Sequence, residues 1–397
     1  MLSTARVICA RAFYLAAALM LSAALPAQAA SFAHCPQQRQ VKAAVLLPGD
    51  IWHFTEMFNL TLNELRERGL TLSGRKEPLP LQFPAFEAEG YSELARDSRT
   101  DCLALSDSGL YNAQWDRAAM IDGTQELLER AGRGDIDLII ALGTTTGMKL
   151  SSAPLPVPVV LLKARTPETS GISKASDLSD NGRLHVLKEP KRVTYELNLY
   201  YETFRFKHLG VVLDHDRDLQ LGQGLGLLQE IAENRGFELE LCYGEIFTSD
   251  KHKARAEYAR CLADLSGRAD AVYLTEFPGM NSDDYYSKLK PLLDAGIPTF
   301  SQTGGREVQQ GALLSLASNE NETLAVCEAD VIERILQGED LRNIPQYCHT
   351  TQRLFLNLKT ARTIGWRPPF SILTAVDVVY HNFSGAHQRS TQSSPLN

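Results

Sequence analysis

Ile136-Asp137-Leu138-Ile139-Ile140-Ala141-Leu142-Gly143-Thr144-Thr145-Thr146-Gly147 is the stretch on which the fold turns. A mostly apolar run gives way abruptly to glycine and threonines. A short run without polar alternation suits a strand buried on both faces, the kind found in parallel sheets. The threonines after it suit a helix start, where hydroxyls cap free amides. The segment therefore reads as one βα unit, and Val157-Pro158-Val159-Val160-Leu161-Leu162 supplies the next strand.

The unit repeats in both directions. Upstream, Val41–Leu47 reads as a strand and Phe54–Arg68 as a helix, with Phe58, Leu62 and Leu65 at helical spacing. Leu79–Phe86 reads as a second strand and Ile121–Ala131 as an amphipathic helix. Downstream, Lys163–Lys191 is rich in Ser, Asp, Gly and Pro and reads as a crossing between lobes. Helices then follow at Tyr195–Phe206, Leu219–Arg235, His252–Leu265 and Tyr285–Ala295, alternating with strands at His208–Leu213, Phe237–Cys242, Ala269–Leu274 and Ile297–Phe300. Gly304-Gly305 and Gln310-Gly311 mark a second crossing before a strand (Ala312–Ala317), a helix (Glu322–Gln337) and a strand (Leu354–Leu358). Repeated βα units predict an α/β protein of two doubly wound parallel-sheet lobes. A chain that visits a lobe twice joins them by a multi-strand hinge. The expected lobes are 30–163 with 312–340, and 164–311 with 341–380; the polar tail 381–397 is expected to be disordered.

The first residues predict export. Arg6 and Arg11 flank the start of an apolar run that ends near Leu25, and Ala27-Gln28-Ala29 offers a small-residue cut site. This is a secretory signal over 1–29, the run being short for a spanning helix. Without it, 38 Lys plus Arg face 48 Asp plus Glu. An acidic balance argues against nucleic acid as a partner. Six cysteines remain after the leader: Cys35, Cys102, Cys242, Cys261, Cys327 and Cys348. An oxidising compartment favours disulfides, although spacing alone does not fix connectivity. Pairing neighbours gives Cys35 with Cys102, Cys242 with Cys261 and Cys327 with Cys348; buried free thiols are the alternative.

No motif calls for a cofactor, a metal or a catalytic set. The chain has no phosphate loop, no Gly-x-Ser-x-Gly elbow and no His-Glu-x-x-His. Gly222-Gln223-Gly224-Leu225-Gly226 fails as a dinucleotide fingerprint, because Leu227 stands where the third glycine belongs, and it falls inside a predicted helix. Asp214-His215-Asp216 is dense in ligand types, but neighbours on a turn point apart and suit capping or ligand contact better than a metal.

In open parallel sheets, ligands bind beyond the carboxyl ends of strands. Those ends name the candidate site: Trp52 after the first strand, Thr144, Thr145 and Thr146 after the third, and Lys163 after the next. In the second lobe they are Asp214, Glu276 with Phe277, and Gln302 with Thr303. The threonine turn or Lys163 suits a carboxylate, and Glu276 or Asp214 an ammonium, so the expected ligand is small and polar or zwitterionic.

These strand ends also carry a resemblance. Asp137–Thr144, Pro158-Val159-Val160, Leu209-Gly210-Val211-Val212 and Ala269–Tyr273 fit, in order and spacing, the ABC transporter substrate-binding family that includes tryptophan- and tyrosine-type binding proteins. So do Ala295–Phe300, Gln310–Ser315, Ile335–Glu339, Ile344-Pro345 and Asn357–Ala361, over roughly residues 40 to 375. The resemblance implies the type 1 periplasmic-binding-protein fold, a periplasmic monomer that binds a solute without catalysis, and a membrane permease as partner. A sensor that reports to a membrane kinase is the alternative. Gly143-Thr144-Thr145-Thr146 departs from the family's usual Gly-Thr-Pro, and Leu274-Thr275-Glu276-Phe277 from its Pro-Thr-Asp-Asn. The long polar linker Pro167–Pro190 departs as well. The family's aromatic amino acids are therefore not carried over as the ligand.

Overall fold

The computed structural model describes residues 32, 34–189, 191–280, 285–318 and 321–383. The expected leader over 1–29 and the tail beyond 383 lie outside the described residues. Among the described residues, no helix is long and apolar enough to cross a membrane.

The first sheet holds β1 (Val41–Leu47), β2 (Leu103–Asn112), β3 (Leu138–Leu142), β4 (Val159–Leu162) and β5 (Leu184–Val186). Its order is β2-β1-β3-β4-β5, and every pairing is parallel. β1 shows why the apolar runs are continuous: every residue but Lys42 is buried. Val41, Ala43, Val45 and Leu47 face the helices Trp52–Glu67, Ala88–Asp97 and Asn321–Leu336. Ala44 and Leu46 face Arg117–Gly132 and Thr144–Ser151 on the other side. With helices on both faces, β1 past Lys42 does not meet water.

The second sheet holds β6 (His208–Asp214), β7 (Glu238–Gly244), β8 (Ala271–Leu274), β9 (Thr299–Ser301), β10 (Leu314–Ser318), β11 (Gln352–Asn357) and β12 (Val378–Tyr380). Its order is β12-β11-β10-β9-β8-β6-β7, and β10 with β11 is its antiparallel pairing. One face packs on the helices Lys251–Leu265 and Tyr285–Asp294, the other on Arg192–Phe204 and Leu225–Arg235. The mixed α/β architecture with two doubly wound lobes stands as the strand pattern implied.

Several boundaries differ from the sequence reading. Leu79–Phe86 is not a strand. Asn63 closes a two-way hydrogen-bond pair with the Leu79 backbone, and Asn59 donates to carbonyls between Pro80 and Phe83, so side-chain amides stand in for a ladder. The strand beside β1 is β2 instead. Ala43 pairs with Leu105 but Val45 with Leu110, so residues 106–109 bulge out. The Gly222–Gly226 stretch is not within one helix: Gly224, at φ 93°, separates Arg217–Gly222 from Leu225–Arg235. The break turns Gln223 inward, where its amide bonds Asp214 N, Val212 O and Thr275 Oγ1.

The crossings also fall elsewhere. β5 pairs with β4, so most of Lys163–Lys191 stays on the first lobe and the chain passes over near Glu189. β10 belongs to the second sheet, whereas the helix Asn321–Leu336 packs on the first lobe's core. The chain is therefore still on the second lobe at β10 and back on the first in the helix from Asn321, so the second pass does not fall at Gly304–Gly311. A third runs from Cys348, in the first lobe's core, to β11 in the second sheet. Lys188 pairs with Tyr347, which holds the first and third passes side by side.

The three neighbouring cysteine pairs are disulfides. Cys35–Cys102 ties the segment before β1 to the start of β2, Cys242–Cys261 ties β7 to the next helix, and Cys327–Cys348 ties Asn321–Leu336 to the third pass.

Candidate functional site

A cavity of about 300 Å3 opens where the carboxyl ends of strands from both sheets face each other. From the first lobe it takes Trp52 and His53 at the start of the helix after β1, Lys163 and Arg165 after β4, and Asn321 and Glu328 from the returning helix. From the second it takes Arg192, Glu276 after β8, and the turn Gln302–Arg306 after β9.

Charge dominates this lining. Arg165 donates through Nη2 to Glu276 across the two lobes, and His53 Nε2 lies 3.3 Å from the same carboxylate. Burial works against ionisation of Glu276, but Arg165, His53 and Lys163 together outweigh it and hold the carboxyl below its usual range. Burial pushes the His53 imidazole down to about 3 against the pull of Glu276, so the ring is neutral at pH 7. Arg192 sits between Glu189, at 3.4 Å, and Glu196, at 3.0 Å. Glu196 in turn accepts from Tyr273 at 2.7 Å. Burial raises Glu328 to about 8, against a hydrogen bond from Thr61, and lowers Lys163 against the pull of Glu189. Lys163 Nζ donates to Asn321 Oδ1 at 3.1 Å, and Asn321 Nδ2 to Glu56 at 2.8 Å. The Arg306 guanidinium lies over the Trp52 ring at 4.5 Å.

Five of the residues read from strand ends meet here: Trp52, Lys163, Glu276, Gln302 and Thr303. The carboxylate of Glu276, expected to meet a ligand ammonium, is already matched by Arg165 and His53. Gln302 is also tied down, accepting from Glu276 N and donating to Gln223 O.

The other five lie elsewhere. Thr144 and Thr145 line a crevice of about 20 Å3 that shares Lys163 and Glu276 with the cavity and is too small for a solute. Thr144 Oγ1 accepts from Arg165 N at 3.0 Å, so it positions a cavity residue without lining the cavity. Thr146 is buried behind them. Asp214 is buried and accepts from the amides of Ile246 and Phe247, shaping a loop. Asp216 caps the helix Arg217–Gly222. Phe277 is wholly buried and stacks on Tyr258 at 4.1 Å, a core contact. The sequence reading missed His53, Arg165, Arg192, Arg306 and Glu328. Arg165 lay within reach of it, two residues past Lys163 at the same strand end.

No family model matches the sequence, and no curated protein matches it. Solved structures do. One is a conserved domain protein from Vibrio cholerae, at TM-score 0.62 and 16% identity, covering 86% of this chain and 100% of that one. Another is an ABC domain in complex with L-Trp from Streptococcus pneumoniae, at TM-score 0.60 and 15% identity, covering 85% and 99%. A third is a ligand-free, open substrate-binding protein with adhesive properties from Clostridium difficile, at TM-score 0.53 and 16% identity, covering 87% and 100%. The chain has the type 1 periplasmic-binding-protein fold. In this binding-protein fold the cleft between lobes lies at the strand ends, which is where the charged cavity sits.

Proposed function

We propose that the chain is a periplasmic solute-binding protein of an ABC import system, taking a small polar or zwitterionic molecule into the interlobe cavity. The observation that carries this reading is the cavity itself. It holds about 300 Å3 at the strand ends and is lined by charged and aromatic side chains from both lobes. That volume is at the small end of ligand sites and suits a molecule of amino-acid size. The fold is shared with a substrate-binding protein and with a domain that holds L-Trp. Three disulfides suit an oxidising compartment, which fits an export leader. A membrane permease that receives the solute after hinge closure is the partner this role requires.

Mass spectrometry of whatever is released on mild denaturation, followed by a thermal-shift screen, tests the proposal. A true ligand at 100 times its dissociation constant stabilises the fold by about 2.7 kcal/mol. If amino acids, organic acids, purines and sugars all leave the melting point unmoved, the solute-receptor role is wrong.

A further inference from the structure

The cavity holds two cationic side chains whose hydrogen bonds the protein does not complete. Arg192 is matched by Glu189 and Glu196, and Arg306 lies on Trp52. Arg165 differs. Its side chain is 9% exposed, Nη2 goes to Glu276, and Nε and Nη1 are buried with no partner among the described residues. Lys163 gives its Nζ to the neutral amide of Asn321. We propose that the solute carries a carboxylate, and that this carboxylate docks on Lys163 and Arg165 at the carboxyl end of β4.

Three observations support the assignment, which rests on the solute-receptor reading above. Buried charged donors left unpaired are costly, and where native proteins keep them they call for a specific reason. Both residues line the cavity, where a ligand's oxygens would meet the Lys163 ammonium and, once the buried guanidinium turns toward the cavity, the unpartnered nitrogens of Arg165. The placement is also built. Thr144 Oγ1 holds the Arg165 backbone amide, and Lys163 takes a left-handed φ of 56°. A non-glycine residue holds that conformation only where its surroundings enforce it. Finally, the same lining carries Glu56, Glu189 and Glu276. A doubly charged phosphate would sit among these carboxylates, whereas a single negative charge on an amino or organic acid is balanced by the pair at β4.

Calorimetry on the mature chain tests this with L-leucine, L-glutamate, lactate and succinate, each beside its neutral amide. Inorganic phosphate and D-galactose serve as controls. At least one acid should bind, with its amide roughly thirtyfold weaker or worse, the size of a charged hydrogen bond lost in a buried site. Arg165→Gln and Lys163→Met should each erase most of that acid-over-amide preference. Arg165→Lys should restore part of it. The preference is a ratio within one protein, so a partly destabilised variant does not blur it. Equal binding of acid and amide overturns the assignment, as does a preference that survives Arg165→Gln, or phosphate bound in place of the acids. Tight binding of galactose with none of the acids bound overturns the carboxylate while leaving the receptor reading intact. No binding by any compound in the wider thermal-shift screen removes both.

Discussion

Replacing Glu276 by glutamine should open the protein without unfolding it. Glu276 reaches across from the end of β8 to Arg165, at the end of β4, and to His53. Its side chain is 12% exposed and that of Arg165 9%, so this interlobe pair is buried. Removing one partner of a buried pair costs about 3–5 kcal/mol. Glutamine keeps a hydrogen bond to the charged guanidinium worth about 1.5–3 kcal/mol, leaving roughly 2. That cost falls on the closed arrangement alone, because opening returns Arg165 to water. The rim pairs Arg117–Asp216 and Lys149–Asp218 also join the lobes, but they are partly exposed and add about 0–1 kcal/mol each. A change near 2 kcal/mol shifts the closed-to-open ratio by roughly thirtyfold. Small-angle X-ray scattering should therefore give Glu276→Gln a larger radius of gyration than wild type. The melting point should move little, since each lobe keeps most of its own core and, among the described residues, only Ile51, Trp52 and Trp115 of the first lobe pack on that of the second. An unchanged radius with a fall of several degrees in melting point would refute the reasoning, and Glu276 would then be a carboxylate that stabilises its own lobe.

Other outcomes follow from the same geometry. Trp52→Ala should weaken solute binding by about 2 kcal/mol, roughly thirtyfold, because it removes the aromatic wall and the support under Arg306; titration of the identified solute checks it. Glu328 is protonated in the fold with its carboxyl near 8, so its contribution is fully present below the ordinary carboxylate range near 4.5 and is lost as pH rises through 8. Urea melts at pH 7 and pH 9 should show wild type weakening more than Glu328→Gln, in a window where His53, near 3, and His185, near 4, no longer titrate; parallel losses would count against it. Replacing Cys35 and Cys102 together by serine opens a loop with a sequence separation of 67 and should cost about 2–4 kcal/mol in urea-melt stability.

The fold was legible where one physical signal dominated. β1, β3 and β4 are buried on both faces, so their runs are apolar without alternation. β2 was not legible, because its bulge puts Ser106, Asp107, Ser108 and Gly109 in mid-strand, where polar residues and glycine read as a turn. Lobe membership was hidden for a different reason. Gly305 looked like a hinge, but a side chain there would meet the Phe355 ring at 2.5 Å, so the glycine serves packing within the second lobe. At the site, the strand-end rule found Lys163, Glu276 and Gln302, whose positions follow from the sheets. It could not find Glu328 or Arg192. Both sit on helices that enter the cavity only because the chain crosses between lobes, and nothing local in the sequence announces a crossing.

Those crossings bear on how the cavity would close. The first pass carries Leu187, Glu189 and Arg192, and the helix after the second carries Asn321, Leu324 and Glu328; all six line the cavity. The passes between the lobes are thus part of the wall, and a solute bound there would touch the segments that join the lobes. Not all of each pass is free to do so. Cys327–Cys348 fastens the third pass to the helix that follows the second, and the pairing of Lys188 with Tyr347 binds the first pass to the third. Up to Lys188 and Cys348, these segments belong to the first lobe as one body. Any rotation of the lobes would fall beyond them, where Lys191 holds a left-handed φ of 60° and Thr350 donates to Glu189 at 3.1 Å. A hinge that narrow favours a defined axis over loose swinging. A defined axis would return Glu276, on one lobe, to Arg165 on the other each time the lobes met.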